Sequence, residues 1–344
     1  MNPMIPGFAL IFFAALSGGA FAVPLKMRRR YEWENTWLVG FFFALIIIPF
    51  VSVKLFLPVW REAITAAGST TVLITLAFGF LWGWGAVTFA IGISRVGLSL
   101  GYATIMGVST AVGSVIPMAR RWTEVSGAAK GVILLGILVC IAGVVVCGRA
   151  GMIRESVAPP TDQSTGGPAV RALLIGLAWC VLSGFLSACV NLGFDFANHV
   201  AEEARRLGAG PLSATIAPWL PVYWGGYVAI LAGAGTTMVK KRSWSKFLGP
   251  GAARDFSLAA LLGLLNFLAQ IPYGLGAYFL GPLGTSVGWA INIASSLLIA
   301  NAFGFLTGEW KQAPRKSIQV LFGGLAVLIL GMIVLAYGNT LVLH

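Results

Sequence analysis

Hydrogen-bonding side chains are scarce in this sequence, and most of those inside apolar runs recur at helical spacing. Asn266, Gln270 and Tyr273 fall at i, i+4 and i+7. Trp289, Asn292 and Ser296 form a similar stripe, as do Ser183, Ser187, Asn191 and Asp195, and Trp219, Tyr223 and Tyr227. Trp82 and Tyr102 stand among glycines in the run Leu81–Met118. Carboxamides exchange hydrogen bonds with hydroxyls in both directions. Tryptophan and tyrosine rings cover apolar C–H faces while offering one polar edge. Trp82, Tyr102, Asn191, Asn266, Gln270, Tyr273, Trp289 and Asn292 together suit a neutral polyol or sugar. For the serines and tryptophans the alternative is helix packing or an interfacial aromatic belt. For the amides it is a neighbouring helix. A nucleotide or sugar phosphate calls for basic residues within the apolar runs, and only Lys26 and Arg95 come near.

Moving a neutral solute uphill requires an ion. One charge crossing 100 mV supplies ~2.3 kcal/mol, enough for a gradient of roughly 50-fold. A proton carrier is a carboxylate whose affinity for the proton is set by burial. Asp195 continues a polar stripe and is the first candidate. Glu34 lies between Trp33 and Trp37, and Glu309 precedes Trp310. For each the alternative is an interfacial carboxylate in water. Sodium stays open as the coupling ion, because backbone carbonyls that bind it leave no mark on composition. An enzyme would need a nucleophile–base pair, a metal cluster or paired carboxylates. The only histidines are His199 and His344, and Cys140, Cys147, Cys180 and Cys189 all lie in apolar runs. Those cysteines read as small buried hydrophobes. No metal and no cofactor is expected.

The elements that hold these groups are membrane helices. Of 344 residues 58% are hydrophobic and only 10% charged, with a mean hydropathy of +0.88. Soluble domains carry about 25% charged residues. Spans are expected at about 5–25, 34–57, 70–93, 97–118, 129–148, 171–193, 212–238, 257–280, 283–306 and 317–338, each near the ~20 residues that cross a bilayer. Gly79/Gly83 and Gly97/Gly101 read as small-residue contact faces. The net charge of +12 comes from loops rather than from one face of a domain, so nucleic acid is not the partner. Of the 23 Lys and Arg residues, 16 fall in alternate loops, beginning with the first, and 7 on the other side. The positive-inside rule then puts both termini outside. The basic cluster follows the first apolar run, as in a retained helix rather than a cleaved leader.

The Pro-, Ser-, Thr- and Gly-rich segment 151–168 reads as a cytoplasmic linker between halves 1–150 and 169–344. Five spans per half invert the second half relative to the first. Leu16-Ser17-Gly18 is echoed by Leu182-Ser183-Gly184, and Gly97-xxx-Gly101 by Gly284-xxx-Gly288. The expectation is an all-α polytopic membrane protein of ten helices in two inverted five-helix repeats, with a binding site near the midplane.

The chain resembles the bacterial L-rhamnose–proton symporter family of the drug/metabolite transporter superfamily. The resemblance is carried by Pro24-Leu25-Lys26, Trp33-Glu34-Asn35-Thr36-Trp37, Pro49 and Trp82-Gly83-Trp84-Gly85. It continues through Gly97-Leu98-Ser99-Leu100-Gly101, Gly107 and Gly113 to Gln270, Trp289 and Glu309-Trp310. It implies the same ten-helix fold and proton-coupled uptake of a neutral sugar, L-rhamnose or a related deoxyhexose, in the bacterial inner membrane. The alternatives are an exporter or facilitator of another metabolite in the superfamily and, more remotely, a membrane-embedded enzyme or a receptor subunit without transport.

Overall fold

The structure is a computed structural model, in which residues 4–21, 23–156, 169–308 and 310–342 are described. Residues 157–168 of the expected linker, Glu309 and His344 lie outside the described residues, as does the side chain of Lys26. The described residues hold ten helical spans long and apolar enough to cross a bilayer. They are α1 (Met4–Leu25), α2 (Trp33–Phe56), α3 (Ser69–Val96), α4 (Ser99–Arg120) and α5 (Gly127–Glu155), followed by α6 (Arg171–Arg206), α7 (Pro211–Lys241), α8 (Ala252–Phe279), α9 (Gly284–Leu306) and α10 (Arg315–Thr340). The chain is a polytopic all-helical membrane protein, as its composition requires.

The chain condenses into two compact units. The first takes residues 1–84 and 189–279, the second 85–188 and 280–344. Each draws on both halves of the sequence, and α3 and α6 each contribute one end to either unit.

In the first unit the Gly79/Gly83 face is a contact face. A Cβ at Gly83 would stand 2.7 Å from the Ala229 Cβ, and one at Gly79 would run into the Val222 carbonyl on α7. Across the same seam Gly226 leaves room for the Trp82 ring, 2.8 Å from where its Cβ would be. Helix α2 carries a π-turn, Phe43–Ile47, in which the Ile48 N–H donates to the Phe43 carbonyl. Pro49 explains it: having no N–H, it cannot continue the i to i−4 ladder, and the register widens just before it. Gly263 of α8 packs against this segment, its absent Cβ only 2.9 Å from that of Phe43.

In the second unit α5 and α10 pack on a seven-residue repeat. Gly324, Gly331 and Gly338 of α10 sit over Cys147, Cys140 and Ile133 of α5, while Gly136 and Gly143 of α5 sit under Leu335 and Leu328. Each glycine is the hole for an opposing knob. Cys140 and Cys147 are buried free thiols that fill such holes. A Cβ at Gly331 would lie 2.6 Å from the Cys140 sulfur and 2.9 Å from its backbone nitrogen. Gly331→Val is expected to cut the folded yield in detergent severalfold. Unchanged size-exclusion behaviour and melting would contradict this packing.

Gly97 is not the packing glycine its spacing suggests. It is the N-cap of α4, with φ of +85°, and it turns the chain between α3 and α4. Only glycine adopts that conformation without strain. Gly101 packs against Ile93 and Val96 of the same turn. The echo at Gly284 is therefore one of spacing: Gly284 is the first residue of α9 after N-cap Leu283, and the left-handed glycine there is Gly281, with φ of +81°. Helix α5 also runs past the expected boundary at 150, as far as Glu155. The extra turn lets the Glu155 carboxylate accept hydrogen bonds from the Ser99 backbone N–H (3.1 Å) and hydroxyl (2.6 Å) at the start of α4.

Candidate functional site

The first unit holds five of the eight expected sugar-binding residues, Trp82, Asn191, Asn266, Gln270 and Tyr273, and one aromatic layer. Phe194 of α6 stacks on Trp219 of α7, with centroids 4.4 Å apart and planes 19° apart. Trp219 stacks in turn on Tyr223 at 5.3 Å. Trp82 of α3 continues the layer, 6.4 Å from Tyr223, and Phe41 of α2 lies edge-on to Trp82. Tyr273 of α8 meets both Phe194 (6.0 Å) and Trp219 (6.4 Å). Five spans thus converge on rings that are stacked at the centre of the layer and set edge-on or tilted around it.

Helix α8 carries its carboxamides on the sector of the helix that also holds Tyr273. Asn266, Gln270, Tyr273 and Gly274 fall within one ~100° sector of the helix. The Gly274 end of that sector abuts the layer, its absent Cβ 2.9 Å from the Phe194 ring. Pro272 interrupts the backbone ladder inside α8, so the helix lacks one rung beside Tyr273. The Tyr273 hydroxyl donates to the Asn191 side-chain oxygen on α6. Asp195 follows Asn191 by one turn on the same helix face and is close enough to act on Tyr273 electrostatically.

Asp195 is not an interfacial carboxylate in water, since only 3% of it is exposed. The sequence places the end of the sixth span at 193, but helix continues through Phe196 and resumes over Asn198–Arg206. That second segment buries Val200, Ala201 and Ala204 with Val53, Leu57 and Ala63 in one apolar cluster, so the C-terminal end of α6 is packed against protein.

Glu34 is likewise buried, with 0% exposure, and it is committed. Its carboxylate lies 3.3 Å from the Lys241 ammonium and accepts from the Ser243 hydroxyl at 3.0 Å. The Asn35 amide donates to the Ser243 carbonyl beside it. Nearby, the Asp255 carboxylate accepts from three consecutive backbone N–H groups, those of Arg29 (3.1 Å), Arg30 (2.6 Å) and Tyr31 (2.8 Å). Glu32 pairs with Lys246, whose hydrogen bond holds the Glu32 carboxyl below its usual range. Burial and the Asp255 charge push the Tyr31 phenol up. Three carboxylates therefore fasten the loop before α2 and the start of α2 to the end of α7, the loop after it and the start of α8.

The remaining three residues belong to the second unit. The Trp289 indole N–H donates to the Ser109 carbonyl at 2.9 Å, and its ring covers Gly113. Ser286, one turn earlier, donates to the Ser114 carbonyl, so α9 is bonded to α4 along this edge. Tyr102 meets Phe89 edge-on at 6.2 Å. The Asn292 side-chain oxygen is buried with no hydrogen-bond partner. His199 is 68% exposed and pairs with Glu202. Among the described residues no group of three or more His, Cys, Asp or Glu side chains is placed to hold a metal.

Trp219 and Tyr223 are the residues sequence reasoning undervalued. Their i, i+4 spacing marks a stripe, but a stripe of aromatics at the end of a span reads equally well as an interfacial belt. Both are instead at 0% exposure, in the middle of the layer.

The family model described as L-rhamnose-proton symport protein (RhaT) matches residues 1–340. The chain is similar to proteins named L-rhamnose-proton symporter from Cronobacter sakazakii (27% identical), Citrobacter koseri (26%) and Pectobacterium atrosepticum (25%). Each similarity covers 98% of this chain and 98% of the relative. By the extent of that match, the chain belongs to the L-rhamnose-proton symport protein (RhaT) family.

Proposed function

We propose that this chain imports a neutral sugar, L-rhamnose or a related deoxyhexose, together with protons, by alternating access. It is a multi-pass transporter of the bacterial inner membrane and not an enzyme. The observation that carries the reading is the link in the first unit between sugar-type groups and a buried acid. Asn266, Gln270 and Tyr273 share a face of α8, Tyr273 is bonded to Asn191, and Asp195 lies one turn beyond. Trp82 adds an apolar ring wall. Asp195 serves as the proton carrier in preference to Glu34, whose charge is already matched by Lys241. In the second unit the open acceptor on Asn292, with Tyr102 and Trp289, offers a further set of sugar contacts. Both termini face outward, with the basic loops inside, and the two halves of the sequence are inverted repeats joined through 151–168.

Uptake of labelled L-rhamnose into proteoliposomes under an imposed inward proton gradient tests this directly. Saturable accumulation that a protonophore abolishes is expected. Equilibration without accumulation would favour a facilitator. Gln270→Ala is expected to weaken sugar binding by ~1–3 kcal/mol, because ligand hydroxyls lose a partner. Half-saturation of uptake reads the change, and an unaltered value would remove Gln270 from the site.

A further inference from the structure

The aromatic layer contains polar atoms that no described residue pairs. Trp219 Nε1 and Tyr223 Oη are buried without a hydrogen-bond partner, and so is Asn266 Oδ1 on α8. Trp219 and Tyr223 have no exposed surface at all. Such groups are costly in a helix bundle surrounded by lipid, so their presence asks what partner they meet. The surroundings of Trp219 give an answer. Its two ring faces are covered by Phe194 and Tyr223, leaving the N–H edge as its free polar feature. That edge faces Gly274, where a Cβ would stand 3.1 Å from Nε1. The position facing the donor thus carries no side chain.

We infer that Trp219 and Tyr223 read hydroxyls of the transported sugar, with Asn266 as their counterpart on α8; this rests on the sugar-import reading above. The chemistry of the three atoms selects the ligand class. Trp219 Nε1 only donates, Asn266 Oδ1 only accepts, and Tyr223 Oη does either. A carboxylate has nothing to give Asn266, and an ammonium cannot accept from Trp219. A ligand bearing several hydroxyls satisfies all three, and its C–H faces and methyl group suit the rings. The layer is closed over these atoms, so a sugar reaches them only as the layer parts, a step that alternating access already demands.

Three variants test the assignment. Trp219→Phe keeps the stacked ring and removes the N–H, Tyr223→Phe removes only the hydroxyl, and Gly274→Ala sets a methyl against Nε1. Half-saturation for L-rhamnose uptake is expected to rise about tenfold in each phenylalanine variant, equivalent to ~1.4 kcal/mol. Melting of the sugar-free protein in detergent should stay the same or rise, because an unpaired buried group has gone. The stabilisation conferred by added L-rhamnose should shrink. Gly274→Ala should impair uptake in the same direction, and Tyr223→Phe keeps the test open should Trp219→Phe fail to insert. If wild-type protein transports L-rhamnose and the phenylalanine variants match its half-saturation, the unpaired atoms are a matter of packing and this assignment is overturned. If wild-type protein neither binds nor transports the sugar, the import reading itself fails, before any variant is compared.

Discussion

Asp195→Asn is expected to abolish proton-driven accumulation of sugar while leaving exchange between equal pools intact. The buried carboxylate lies one turn from Asn191, which accepts from the Tyr273 hydroxyl of α8, the helix that also carries Asn266 and Gln270. Asparagine preserves its size and much of its hydrogen bonding but cannot carry a proton. Coupling one proton to 100 mV is worth ~2.3 kcal/mol, or roughly 50-fold concentration. The variant should fall from accumulation of that order to simple equality across the membrane. Glu34→Gln should not produce this phenotype, because Glu34 neutralises Lys241 and holds Ser243. Accumulation of wild-type size in Asp195→Asn would take the coupling role away from this residue.

The second large effect concerns stability. Asp255→Ala leaves three neighbouring N–H donors, on Arg29, Arg30 and Tyr31, without the carboxylate that now accepts from all of them. The acid is 1% exposed, so water can replace it only in part. Charge-assisted bonds of this kind contribute about 1.5–3 kcal/mol each when removed singly, and losses within one cluster overlap. A total of ~2–4 kcal/mol is expected, read as a drop of several degrees in the melting temperature in detergent. Asp255→Asn, retaining one acceptor oxygen, should fall between the two. A melting curve that does not move in Asp255→Ala would show that the loop before α2 is held by other contacts. Sugar affinity of the folded fraction should be unchanged, since Asp255 belongs to the loop ties and not to the aromatic layer.

The helices of this protein are legible in its sequence because a bilayer leaves the backbone few options. Spans of ~20 apolar residues must be helical, and loop charge sets their alternation. The Gly79/Gly83 face was readable too, since two glycines one turn apart in an apolar helix have few other uses. Gly97 shows the limit: the same spacing at a helix start served a left-handed turn, and spacing alone does not separate the two. The acidic residues were less legible still. Glu34 and Asp195 look interfacial by position, yet one is buried by an ion pair formed 207 residues away. The other is buried because α6 runs on beyond the expected membrane edge. Asp255 gave no signal at all, as its partners are backbone groups. The stripe Asn266–Gln270–Tyr273 was visible as a pattern, but only the fold sets Tyr273 against Asn191 and the Gly274 end of that stripe against Trp219 and Phe194.

The claim on which the whole account rests is that sugar and proton cross together. Proteoliposomes loaded with a pH-sensitive dye, with no imposed gradient, test it most directly. Adding L-rhamnose outside should acidify the lumen as the sugar enters, and Asp195→Asn should let sugar exchange without any change in pH. Sugar entry at the wild-type rate with a lumen pH that never moves would contradict the account.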